Sequence, residues 1–213
     1  MASAATARHR AELDRLADVV ATEIRRVTRR ASVADVDSWF ARSSGLLVGI
    51  VADGHESAAA LAGRYLAALA ASDGVEADPA VVEPDLGRIE TALHVVGPVG
   101  FKQHLTRSGS LDAARAMMGR RMAATAGRLT LAGSRDSIME TVRTSSQIVG
   151  YRRVARPGAC DFCTMLAGRG AVYKTERNAT QVAGRRGRPR GPQRVGRSYH
   201  DSCRCIPEPI HHR

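Results

Sequence analysis

The sequence predicts a mainly α protein: a helical N-terminal body over residues 1–149, then a small α+β module over residues 150–213. Three observations predict it. Apolar residues recur at helical spacing through the first 150 positions. Hydrophobic residues make up 44% of the chain but aromatics only 4%, and alanine-rich, aromatic-poor composition suits close-packed helices better than a β-sandwich. From Gly150 onward the texture changes to short β-like runs, glycine, proline and arginine.

The elements follow in order. Leu13, Leu16, Val19, Val20, Ile24 and Val27 form one stripe of an amphipathic helix. Ser32 and Asp35 have capping-box spacing before a second helix carrying Val36, Trp39, Phe40 and residues 46–51. Gly54 or Ser57 opens a third, alanine-rich helix that ends near Asp73 and Gly74, and residues 74–85 read as a loop. A further helix over Ile89, Leu93, Val96, Phe101 and Leu105 is broken or kinked at Gly97 and Pro98. Ser110 caps a helix over 111–131, and Gly133 and Ser134 separate it from a last one carrying Ile138, Met139, Val142 and Ile148. In the C-terminal module, 151–154 and 170–173 read as short strands.

Charge is partitioned along the chain. The net charge is +11, yet residues 1–150 hold 18 cations against 17 acids, whereas 151–213 hold 14 against 4. Such asymmetry points to a polyanionic partner for the C-terminal part, most simply nucleic acid. No run of apolar residues is long enough to span a bilayer. Glu12, Asp14, Asp18 and Glu23 interrupt the first 30 residues, which are not read as a secretory signal. The expectation is a soluble chain made in a reducing cytoplasm, where clustered cysteines point to metal before disulfide.

All four cysteines fall within 46 residues, as Cys160-x2-Cys163, a gap of 36 residues, then His200-x2-Cys203-x-Cys205. Zinc takes four tetrahedral ligands from thiolate and imidazole, and C-x2-C puts two sulfurs on one tight turn. Cys160, Cys163, His200 and Cys205 make one four-ligand set; Cys203 in place of His200 or Cys205 makes another. A module this short, with few large apolar groups, needs a staple, and structural zinc supplies one. Five donors without a selected acid beside them suit a closed structural site, so the sequence predicts a zinc-stapled module. A redox Cys160–Cys163 pair lacks the βαβ context it would need.

Between the two halves of that cluster lies 184–197, with six arginines, four glycines and two prolines. It has almost nothing to bury, so it reads as a flexible loop. Arg185, Arg186, Arg188, Arg190, Arg194 and Arg197 would project from a loop closed at both ends by metal. Without interleaved aromatics, the chemistry is salt-sensitive, sequence-independent phosphate binding. Elsewhere, no G-x-S-x-G or comparable nucleophile motif is present, and His55, in the 53–56 run Asp-Gly-His-Glu, reads as part of a polar helix start.

The runs 151–154, 160–173 and 199–205, with 133–138 ahead of them, resemble the C-terminal part of phage Mu F-like minor head proteins of tailed bacteriophages, especially those of actinobacterial phages. The resemblance covers roughly residues 133–210. It implies a low-copy structural protein of the virion, in the head interior, associated with the portal and/or major capsid protein and in some members binding DNA. It also carries the metal-ligand role onto Cys160, Cys163, His200, Cys203 and Cys205. Many such relatives are labelled capsid maturation proteases, acting on scaffold or major capsid protein. In this sequence no nucleophile and base stand out to support that alternative, and the expectation is a non-enzymatic protein.

Overall fold

The computed structural model describes residues 3–31, 34–155, 158–159, 164, 167–168 and 205–212. They form helices α1 (Ala4–Thr28), α2 (Val36–Asp73), α3 (Leu86–His94), α4 (Gly100–Ser108) and α5 (Leu111–Thr144), then strands β1 (Ile148–Val154) and β2 (Ile206–His211). The mainly α expectation holds, with one two-stranded antiparallel sheet among the described residues.

Helix α1 buries Leu13, Ala17, Val20 and Ile24 on one stripe, while Val19 from the predicted set is exposed. Asp35 itself caps α2, its carboxylate accepting from the Ser38 amide at 3.0 Å; hydrogen bonding from the Ser38 side chain, and then from this amide, holds the carboxyl below its ordinary range. The predicted cap Ser32 lies outside the described residues.

Two predicted breaks do not occur. The second and third helices are one 38-residue helix, and α5 runs unbroken through Gly133 for 34 residues. The glycines serve approach instead of interruption. A Cβ on Gly133 would lie 2.1 Å from the His55 carbonyl oxygen, and one on Gly54 would lie 2.8 Å from Thr130 Oγ1. Glycine thus lets α2 and α5 cross with their backbones nearly touching. His55 is accordingly not at a helix start: it is buried in mid-helix, its Nδ1 3.2 Å from the Leu129 carbonyl oxygen.

The predicted stop at Gly74 is real. Gly74 takes φ +72°, and the amides of Val75 and Gly74 bond to the carbonyls of Ala70 and Ala71, the paired bonds of a Schellman cap. Asp85 caps α3 through the Arg88 amide. The predicted kink at Pro98 is a single π-helical turn, Val95–Val99, whose wider ring accommodates the residue that cannot donate. Ser110 caps α5 as predicted, accepting from the Ala113 amide.

The described residues group into two compact units. One takes Glu12–Ala58 and Glu83–Ser134; its core includes Ile24, Trp39, Phe40, Leu47, Leu93, Phe101, Met118 and Met122. The other takes Met1–Ala11, Ala59–Val82 and the described part of Arg135–Arg213. In it, the loop after α2 is tied to α5 by bonds from the Ala80 amide to Thr141 and from the Val82 amide to Ser137. Strand β1 pairs with β2 from Val154↔Ile206 to Ile148↔His211. Strand β2 carries Pro207 and Pro209; prolines two apart lack donors on the same edge, which leaves the other edge for pairing.

Candidate functional site

The second unit places a buried polar cluster where α1, α2 and the ribbon meet, all within that unit. Ser3 caps α1 by accepting from the Thr6 amide at 3.1 Å. That fixes Thr6 one turn in, with its hydroxyl bonded to Glu208 of β2. Since the Thr6 proton goes to Glu208, the Tyr65 hydroxyl, 2.9 Å away on α2, donates to Thr6. Ser3 Oγ lies 2.9 Å from Thr6 Oγ1 and supplies a second donor. Arg152 of β1 grips the other oxygen of Glu208, with Nε at 2.9 Å and Nη2 also bonded. Glu208 faces Arg152 directly in the strand register, so this ion pair is also a cross-strand pair.

Burial sets the electrostatics. Thr6, His9, Tyr65 and Glu208 are all nearly inaccessible. His9 stacks on Tyr65 with centroids 4.4 Å apart and planes 2° from parallel. Burial, and then the positive charge of Arg64, lower the His9 pKa to about 4, so the ring is neutral at physiological pH. Burial also raises the Tyr65 hydroxyl well above its ordinary value, keeping it a donor. Three further bonds hold the ribbon: Arg10 Nη2 to the Val154 carbonyl at 3.4 Å, His211 Nδ1 to Asp73 at 2.7 Å, and the His212 amide to Gln147 at 2.9 Å.

Of the predicted metal donors, Cys205 is described: it is 2% exposed, immediately precedes β2, and packs with Ala155 and Ala159. Cys160, Cys163, His200 and Cys203 lie outside the described residues, as do Arg185, Arg186, Arg188, Arg190, Arg194, Arg197 and the predicted strand at 170–173. Among the described residues, no group of three or more His, Cys, Asp or Glu is placed to hold a metal. The register pair Val154↔Ile206 brings together the two ends of the intervening segment. Cys160 follows Val154 by six positions, and His200 precedes Ile206 by six.

Sequence reasoning missed the Thr6–Tyr65–Glu208 cluster. One signal was present: a lone acid between Pro207 and Pro209 marks an edge strand with an inward charge, which requires a partner. Its partner Thr6 lies 202 positions away and carries no signal of its own.

These features define a helix-dominated protein whose C-terminal ribbon is tied into the helices by a buried carboxylate. The chain belongs to the VG15 protein family, matched over residues 1–213. That family is one of phage proteins. No curated protein and no solved structure matches the chain. Among the described residues no helix is long and apolar enough to cross a membrane.

Proposed function

We propose that this phage protein is a Mu F-like minor head protein of a tailed bacteriophage, held in the head interior by the portal and/or major capsid protein. In this reading the ribbon presents a zinc-stapled, arginine-rich segment that contacts DNA without sequence preference. The observation that carries it is the pairing of Val154 with Ile206, with Cys205 buried beside Ala155 and Ala159. The ribbon closes the segment 155–205 whatever else it binds, and so removes most of the entropy cost of bringing its two ends together. Cys160 and Cys163 stand just inside one end; His200, Cys203 and Cys205 stand just inside the other.

The donor chemistry fits zinc: thiolates and one imidazole, with Ala159 of the Cys205 pocket next in sequence to Cys160. Cys160, Cys163, Cys205 and either His200 or Cys203 would hold the ion, as would the set with Cys203 in place of Cys205. Bound zinc supplies folding free energy to a module with little core of its own. The six loop arginines would then face phosphate from an anchored base, at the strongly basic end of the chain.

The test is DNA affinity of the full chain at low salt, with and without Arg185, Arg186, Arg188, Arg190, Arg194 and Arg197 changed to Ser. The reading expects salt-sensitive binding that falls in the variant. Binding that is absent or unchanged would remove the loop's role. Cleavage of co-expressed major capsid protein, abolished by a single Ser or His substitution, would replace the whole reading with a protease.

A further inference from the structure

The overall charge balance of residues 1–150 conceals a polarised surface. The unit formed by Glu12–Ala58 and Glu83–Ser134 contains 13 Lys and Arg against 12 Asp and Glu. Seven of those cations lie on two segments, of α1 and α5, that approach each other. Arg25, Arg26, Arg29 and Arg30 are exposed at the C-terminal end of α1, and Arg120 and Arg121 are exposed on α5 with half-buried Arg115 about one turn before; Arg121 Nη1 reaches over α4, 3.8 Å from where a Cβ on Gly100 would lie. The two helices meet between these groups: a Cβ on Gly119 would lie 3.3 Å from Thr28 Oγ1. Within four positions of these seven arginines along the chain the acids are Glu23 and Asp112; the unit's other six cations go with its other ten acids.

Helix electrostatics accounts for part of this arrangement and not for the rest. Cations at the end of α1 are favoured by the helix dipole, and the Nε groups of Arg25 and Arg29 donate to carbonyls within the helix at 3.2 and 3.4 Å. Those bonds engage the Nε groups alone. Arg26 pairs with Glu23 at 2.8 Å, an exposed contact of small energetic weight. The arginines of α5 lie beyond its first turn, near the end where the dipole favours anions, so they gain nothing from it. Like charges gathered across two helices repel one another, and a partner of opposite charge relieves that repulsion.

We infer that the α1–α5 arginine patch is a second, independent contact surface for the phosphate backbone of duplex DNA. Every cation in it is arginine, whose planar guanidinium grips phosphate bidentately. None of the exposed large hydrophobic side chains among the described residues is aromatic. The patch therefore lacks both the stacking platform of a single-strand binder and the aromatic anchor of a protein–protein hot spot. A duplex backbone needs neither. The surface does not depend on the zinc-held loop.

The experiment uses the full chain and fluorescence anisotropy with a short mixed-sequence duplex across a salt series. Three backgrounds are compared: wild type, the loop variant with its six arginines changed to Ser, and a patch variant carrying Arg26→Gln, Arg30→Gln and Arg120→Gln. A control carries Arg42→Gln, Arg88→Gln and Arg107→Gln, exposed residues of the same unit outside the patch. The loop variant is expected to keep salt-sensitive binding. The patch changes should lower affinity in both backgrounds and reduce the slope of log affinity against log salt by about 0.9 for each arginine removed. Wild-type affinity and slope in the patch variant would overturn the inference, as would an equal loss in the control. Loss of all binding in the loop variant overturns it while leaving the loop reading standing. A loop variant that binds like wild type, with loss in the patch variant, does the reverse. Displacement of the DNA by polyglutamate at equal charge would assign the patch to an acidic protein and overturn it.

Discussion

The Thr6 hydroxyl, in the first turn of α1, donates to the Glu208 carboxylate on β2, across 202 residues of chain. Arg152 takes the other oxygen, so one buried carboxylate on β2 joins α1 to β1. Glu208→Ala would leave Arg152 and Thr6 without their acceptor and is expected to destabilise the fold by about 3 kcal/mol, the low end for a broken buried pair because Arg152 is 39% exposed. Thr6→Val should cost about 1–2 kcal/mol. Urea denaturation midpoints check both, and equal losses would contradict the assignment of Glu208 as the centre of the cluster.

Stability should fall between neutral pH and pH 4 partly through His9. Its pKa is about 4 in the folded chain and near 6.5 when exposed. Below pH 6.5 the unfolded state takes a proton that the folded state refuses, so the stabilisation is complete above 6.5 and is lost down to about pH 4. The difference corresponds to roughly 3 kcal/mol. His9→Phe, which keeps a ring against Tyr65, should flatten that part of the profile. An unchanged slope between pH 4 and 6.5 would show that His9 titrates normally.

Alanine should have opposite effects at two glycines of α5. At Gly133 the added Cβ would strike the His55 carbonyl oxygen, and a loss of about 1–3 kcal/mol is expected from overpacking against backbone. At Gly127 nothing lies within 4 Å, so alanine should stabilise by about 0.5–1 kcal/mol through helix propensity. Thermal melts of the two variants read the contrast directly; the same sign at both would show that α2 and α5 do not approach closely at Gly133.

Much of the fold was legible because helical periodicity is a local signal. The α1 stripe, the Gly74 stop, the Ser110 cap and the disturbance at Pro98 all follow from residues within a few positions of one another. Glycine was misread at 54 and 133 because a backbone crossing and a helix break use the same residue, and only the partner helix distinguishes them. Strand β2 was missed because its prolines resemble a loop until β1 supplies the pairing edge. The metal donors and loop arginines stood out by spacing and composition. The Thr6–Glu208 bond and the α1–α5 patch arise from residues far apart in sequence, which net charge and motif spacing average away.

Chelation should separate the C-terminal module from the helices. The helices are packed through their own apolar cores, so removal of zinc should leave far-ultraviolet circular dichroism almost unchanged while weakening the loop's share of DNA binding. A collapse of helicity on chelation would contradict the assignment of the metal to the segment between β1 and β2.

Zinc content is the most direct test of the account. Elemental analysis of the purified full chain under reducing conditions should find about one zinc per molecule, as a single four-ligand site requires, and Cys160→Ser with Cys163→Ser should abolish it. A folded chain without zinc, or full zinc content in that double variant, would contradict the proposed staple.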